Sequence, residues 1–266
     1  MSRILDLKTG VSCSLFGEND EERMASFAQA GVDCFEVSVP SDLYGTIDWN
    51  GLRKAADNTG TELWSVHLPF SYTANIAHPE AMYRRQSMEL FVRVLDEAAA
   101  AGVKHAILHP SSEPISDDIR PTLMEYSMEN CAVLARQAAL RDMTICVEDL
   151  PRTCLGNCSA EMKELVSGDP GLRICFDVNH LLKESHKSFV AEVGDRIATV
   201  HLSDYDFIDE KHLLPGEGKI DWYELAGLLE GINYSGPFLF ECSYRSTGRR
   251  SALPTYTPAV YRTIQE

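Results

Sequence analysis

Eight short, nearly continuous apolar runs recur along this chain, and that recurrence narrows the fold more than any other feature. They read "VSCSLF" (11–16), "CFEVSVP" (34–40), "LWSVHLPF" (63–70), "HAILHP" (105–110), "TICVEDLP" (144–151), "RICFDVNH" (173–180), "IATVHLSD" (197–204) and "PFLFECSY" (237–244). Such runs lack the polar alternation of a half-solvated sheet and suit strands buried on both faces of a parallel one.

Amphipathic stretches lie between them. "DEERMASFAQAG" ends at Gly31 and "NGLRKAADNTG" at Gly60, each with the glycine expected just past a helix end. "HPEAMYRRQSMELFVRVLDEAAAAG" (78–102) sets Pro79 in a first turn and Met82, Leu90, Val94 and Ala98 at helical spacing. "TLMEYSMENCAVLARQAALRD" has the same character, and "IDWYELAGLLEGINYSG" (220–236) follows a Gly-rich turn. No linker or low-complexity segment interrupts the alternation. An α/β fold follows, a closed (β/α)8 TIM barrel rather than a doubly wound sheet, in one domain spanning 1–266. The length agrees, since such barrels typically need about 250 residues.

Charge and cysteine usage limit the partners. The net charge is −16, from 24 Lys+Arg against 40 Asp+Glu. A phosphate backbone is repelled by that field unless basic residues gather on one face. The richest basic runs are only Arg84–Arg85 and Arg245, Arg249 and Arg250, so nucleic acid is disfavoured. No apolar stretch is long enough for a membrane span, and no signal peptide is expected. The cysteines are scattered, with Cys34, Cys146, Cys175 and Cys242 inside strand runs, which reads as buried free thiols of a cytoplasmic protein. Cys154 and Cys158 lack a second pair to complete a zinc site. A homo-oligomer is compatible with the sequence.

In such barrels the working residues lie at the C-terminal strand ends. Those ends carry His67, His109, Glu148, Asp177 with His180, His201 and Glu241, from six consecutive strands. Any one of them alone is read more simply as a hydrogen-bonded structural residue, and Asp149 and Asp204 as helix N-caps. Together they would be costly in desolvation and like-charge repulsion without a compensating cation. A divalent metal ion supplies that compensation, and the mix of His and carboxylate suits Zn or Mn. In the stretch "VHLSDYDFIDEKHLLPGEGKIDW" (200–222), Glu210 and His212 stand two apart, so an extended loop would turn both toward the mouth. The alternative for Glu210 is a solvated loop charge. Gly216 and Gly218 permit the reversal into the next helix, with Asp221 near its start.

On "CVEDLP", "CFDVNH", "VHLSD…HLLPGEGKIDW" and "FLFECS" the sequence resembles the xylose-isomerase-like barrel superfamily, which includes sugar isomerases, epimerases and the endonuclease IV proteins. The similarity runs essentially from end to end. The resemblance to ketose 3-epimerases implies one metal ion held by Glu148, Asp177, His201 and Glu241, with His180 contacting substrate. The resemblance to the nucleases implies up to three zinc ions on nine positions, here His67, His109, Glu148, Asp177, His180, His201, Glu210, His212 and Glu241. His67 and His109 thus count either as metal ligands or, with His180, as substrate contacts. Glu210 departs from that pattern, which has Asp. The loop after His201 departs from the epimerases, which often place an arginine there; Asp204 to Asp209 contains none.

The expected activity is a metal-dependent sugar or sugar-phosphate isomerisation or epimerisation on a small sugar or polyol. Glu148 and Glu241 would move a proton through an enediolate that the ion stabilises. The alternative is an endonuclease IV-like multi-zinc phosphodiester hydrolase. Trp64, Phe70, Trp49 or Phe16 could line the sugar, and aromatics are also ordinary core residues.

Overall fold

The apolar runs form eight parallel strands in a computed structural model that describes residues 7–242. They are β1 (Thr9–Cys13), β2 (Cys34–Val37), β3 (Glu62–His67), β4 (His105–Leu108), β5 (Thr144–Glu148), β6 (Arg173–Asp177), β7 (Ile197–His201) and β8 (Phe238–Phe240). The sheet runs β7-β6-β5-β4-β3-β2-β1-β8, so each strand pairs with its sequence neighbour and β1 also pairs with β8. Closure between β7 and β8 is slight. It rests on the bridge Leu202–Phe240, with Leu202 N donating to Leu239 O at 2.8 Å and Glu241 N to Leu202 O at 3.0 Å.

Among the described residues, seven α-helices lie between the strands: α1 (Glu21–Gln29), α2 (Trp49–Thr59), α3 (Ala81–Ala100), α4 (Arg120–Ala139), α5 (Ser159–Ser167), α6 (His186–Val193) and α7 (Trp222–Gly231). Gly60 caps α2 in the left-handed region at φ 69°, and Asp221 caps α7 by accepting from Tyr223 N and Glu224 N. Two details of α3 differ from the sequence pattern. It begins at Ala81, after Pro79, and it buries Ser87, Phe91, Val94, Leu95 and Ala98 while Met82 is exposed. The inward face is therefore carried by the later turns, and the first turn faces solvent. None of the helices among the described residues is long and apolar enough to cross a membrane. Arg245, Arg249 and Arg250, and Ser243–Tyr244 of the last apolar run, lie outside the described residues.

The large apolar core gathers strand and helix side chains such as Val11, Phe35, Leu95, Val147, Phe176 and Leu229. A separate small cluster, Ile107, Cys146 and Cys175, sits two residues before His109, Glu148 and Asp177 on the same strand faces. That period of two puts the small apolar residues and the ligand-type residues on one barrel-facing side, with the polar ones at the C-terminal end. Barrel interiors are usually filled with branched apolar side chains. Here polar groups replace them toward the mouth, and desolvation obliges each to find a partner.

Candidate metal centre at the barrel mouth

Strand ends fix the first set of side chains. His67, Glu148, Asp177 and His201 are the last residues of β3, β5, β6 and β7, while His109 and Glu241 come one residue after β4 and β8. The apolar runs read in the sequence extend past these ends, because the residues that turn over the mouth are themselves buried. Glu148, Asp177, His201 and Glu241 bring four potential ligand atoms within 4.8 Å of one another. His201 Nδ1 is 2.9 Å from Glu148 Oε1 and 3.0 Å from Glu241 Oε2. Among the described residues, buried Asp177 Oδ2 has no hydrogen-bond partner; it stands 3.5 Å from His180 Nε2 and 3.9 Å from His201 Nδ1. An orphaned buried carboxylate oxygen among three further N and O donors fits a divalent cation.

Neighbouring imidazoles extend the cluster. His67 Nε2 and His109 Nε2 approach Glu148 Oε2 at 3.2 and 3.0 Å. His67 donates from Nδ1 to Leu68 O at 3.0 Å, and His180 from Nδ1 to Asp149 O at 2.8 Å. His212 likewise spends Nδ1 on Glu241 O at 3.0 Å. Each of these rings thus gives one nitrogen to the backbone and turns Nε2 into the mouth, which is how a ligating imidazole is oriented.

His201 is oriented from below by a residue that the sequence reading did not single out. Glu36, fully buried in β2, accepts from Ser12 Oγ at 2.8 Å, Ser65 Oγ at 2.7 Å and His201 Nε2 at 3.2 Å. With Nε2–H held there, Nδ1 is the nitrogen left for the mouth. A charged residue in the middle of "CFEVSVP" was the available signal, because a buried carboxylate requires donors.

A second, outer cluster comes from His180, Glu210 and His212, whose ligand atoms also lie within 4.8 Å of one another. Glu210 Oε1 is 2.8 Å from His212 Nε2 and 3.7 Å from His180 Nε2. Glu210 is therefore not a solvated loop charge. The two-residue spacing of Glu210 and His212 works by a turn rather than an extended segment, since His212 has φ 48°. The loop that carries them is organised by Asp204, which is no helix cap. Its carboxylate accepts from Tyr205 N, Gly216 N, Ile220 N and Trp222 Nε1 at 2.8–3.2 Å. Gly218 is required there, because a Cβ would fall 2.3 Å from Asp204 Oδ1 and 2.5 Å from Tyr205 O. Asp149 is not a cap either; it is buried and accepts from Asp177 N at 2.8 Å, stiffening the end of β6.

Burial works against charge throughout the mouth, and pairing overcomes it at most positions. Burial would lift the Glu148 carboxyl, yet His201 and His109 hold it well below the usual range. Against the same penalty, His201 brings Glu241 down to about 2. Desolvation opposes protonation of His201 and His180, but surrounding carboxylates raise both well above the ordinary imidazole value. Burial prevails at Asp177, lifted to about 6, and at His109, which is lowered. It also pushes the thiol of Cys175 far up, leaving a weak ligand beside His201. Imidazolium protons thus balance the carboxylates, and a divalent cation could take the same place with release of protons.

A cleft of about 290 Å³ opens beside the clusters, lined by Phe70, Tyr72, His109, Arg152, His180 and Glu210 among others. Phe70 stacks on His109 with ring centroids 4.2 Å apart and is 47% exposed, so its free face looks into this space. The other aromatic candidates lie elsewhere: Trp64 stacks on His105 and donates to Thr199, and Trp49 is buried in α2 and donates to Glu97. Phe16 packs against the core.

A sequence profile described as xylose isomerase-like TIM barrel matches residues 24–262. The chain belongs to that family. It is 25% identical over 249 residues to an uncharacterized protein of Methanocaldococcus jannaschii, covering 90% of this chain and 84% of that one. It is 28% identical over 235 residues to a D-psicose 3-epimerase of Agrobacterium fabrum, covering 83% and 78%. The crystal structure of a D-tagatose 3-epimerase-like protein superposes with a TM-score of 0.78 at 22% identity, covering 91% of this chain and 94% of that one. The loop after His201 in this family member has no arginine of its own, but Arg152, from the loop after β5, reaches it: Arg152 Nη1 is 2.9 Å from Glu210 Oε2. Sequence reasoning missed Arg152 because that contact joins two loops with no fixed spacing.

Proposed function

We propose that this chain is a divalent-metal-dependent sugar isomerase or epimerase acting on a small sugar or polyol in the cytoplasm. The observation that carries the reading is the pair of carboxylates, Glu148 and Glu241, at 2.9 and 3.0 Å from His201 Nδ1, with the orphaned oxygen of Asp177 in the same cluster. The similarity to a D-psicose 3-epimerase supports it.

Glu148, Asp177, His201 and Glu241 would hold the ion, Zn or Mn by donor type. When bound, it supplies electrophilic polarisation of a carbonyl and its neighbouring hydroxyl. The remaining work falls to the protein's own groups. One of Glu148 and Glu241 takes the proton from the carbon beside the carbonyl, and the other returns one. Glu241 is the more accessible of the two carboxylates, with a side chain 27% exposed, whereas Glu148 is 1% exposed. Three imidazoles touch Glu148, so its proton has a path to His67 or His109. Phe70 offers an apolar face for the sugar and helps exclude water, and His180 turns Nε2 toward its hydroxyls. The free state of all eight cysteines agrees with a cytoplasmic setting.

A second reading, an endonuclease IV-like hydrolase with several zinc ions, is favoured by two further groupings, His67–His109–Glu148 and His180–Glu210–His212. The charge of −16 counts against a nucleic-acid substrate, and Arg152 at the cleft is already matched by Glu113, Asp209 and Glu210. The two readings separate in deuterated water. An isomerase or epimerase washes deuterium into the carbon beside the carbonyl of a ketose or aldose. Cleavage of an abasic-site oligonucleotide or a phosphoester, without exchange across a sugar panel, would move the assignment to the hydrolase.

A further inference from the structure

Arg152 meets the outer cluster under unusual local constraint. Its backbone is left-handed, at φ 51°, a region that a non-glycine residue adopts only when its surroundings hold it there. The buried side chain of Asn157 holds it there, donating to Arg152 O at 2.8 Å. The guanidinium then joins three loops. Nε is 2.7 Å and Nη2 2.6 Å from Glu113 Oε1, in the loop after β4, and Nη1 is 2.9 Å from both Asp209 Oδ1 and Glu210 Oε2, in the loop after β7. Glu210 is divided between this cation and the imidazoles: one oxygen faces Arg152 and the other faces His212 and His180.

The two clusters therefore differ in what balances them. Among the described residues, the partners of Glu148, Asp177 and His201 are histidines, carboxylates, the Cys175 thiol and backbone, with no lysine or arginine. At the outer cluster a permanent positive charge sits on the only carboxylate. A guanidinium cannot be titrated away, and its planar fork is held by Glu113 and Asp209 whether or not Glu210 engages something else. A divalent ion at His180–Glu210–His212 would have to share Glu210 with that charge at close range.

We propose that Arg152 is the resident cation of the outer cluster, so that the mouth loads one divalent ion, at Glu148–Asp177–His201–Glu241, and none at His180–Glu210–His212. Arg152 is on this account a positioning residue that sets the ion number and leaves His180 and His212 free for substrate hydroxyls. The inference rests on the metal-dependent reading above and adds to it the number of ions and the residue that decides it.

The test is the uptake of Co²⁺ and Zn²⁺ by the full-length protein, followed by elemental analysis after dialysis and by the visible absorption of cobalt. Wild type should retain one ion per chain. Arg152→Gln should bind a second ion at least tenfold more tightly than wild type does, and adding His212→Ala should remove it. Arg152→Lys, which keeps the charge, should behave as wild type. Glu113→Gln, which loosens the anchor without touching the cluster, should shift the second ion in the same direction by less, and it serves if Arg152→Gln does not fold. An unchanged second-ion affinity in Arg152→Gln, or two tightly held ions in wild type, would overturn the proposal while leaving the metal-dependent reading intact. Absence of uptake in both proteins would overturn the two together.

Discussion

The inner and outer clusters at the mouth use similar side chains and are built in opposite ways. Glu148, Asp177 and His201 end strands, and Glu241 follows one directly, so backbone pairing in the sheet fixes their starting points. Glu210 and His212 stand on a loop whose shape depends on one buried carboxylate, Asp204, and on the close approach that Gly218 allows. The inner cluster is walled by Glu36, His67 and His109, whereas the outer one faces the cleft and carries a guanidinium. Ligands on rigid elements are held more accurately than ligands on loops. On the proposed reading this divides the labour: the inner set holds the ion and moves the proton, and the outer set meets the substrate.

The largest effect is expected inside. Glu148→Gln or Glu241→Gln keeps the shape and an oxygen for a cation but removes the base, so kcat should fall about 10²–10⁴-fold with the circular dichroism spectrum unchanged. His212→Gln in the outer cluster should instead act mainly on KM, and an equal loss of kcat there would erase the distinction. Glu36→Gln or Glu36→Ala comes next. By withdrawing the partner of His201 Nε2 it should weaken zinc binding about 10–100-fold, read by competition with a chelating dye, more for Ala than for Gln. Asp204→Ala should leave several loop N–H groups unpaired and cost about 1–3 kcal/mol in denaturant unfolding, without altering zinc affinity of the inner cluster. A parallel loss of zinc affinity would show that the clusters are not independent. The smallest change should come from Phe70→Ala, where losing one aromatic face, worth about 0.5–1.5 kcal/mol, should raise KM about 2–10-fold at nearly constant kcat.

Much of this architecture was legible in the chain because burial on both faces writes each parallel strand as a compact apolar run. The strand ends were less so: "VHLP" and "VEDLP" continue past the ends of β3 and β5 in residues that are buried over the mouth. Met82 misled by spacing alone, since periodicity gives a helical stripe but not where the stripe loses contact with its neighbours. At the mouth, the strand-end residues could be gathered from the barrel rule, which makes position along a strand equivalent to position in space. Glu36 and Arg152 follow no such rule. The first is one glutamate in an apolar strand whose importance depends on which side chain lies across the barrel. The second depends on a left-handed backbone and on three loops converging, and neither leaves a spacing in the sequence.

The most direct measurement is an anomalous diffraction map at the zinc edge from crystals grown with zinc. The account predicts a single strong peak bounded by Glu148, Asp177, His201 and Glu241, with ligand distances of about 2.0–2.2 Å. A peak seated instead among His180, Glu210 and His212, or a zinc-replete structure with any two of the four inner side chains turned away from the mouth, would contradict it.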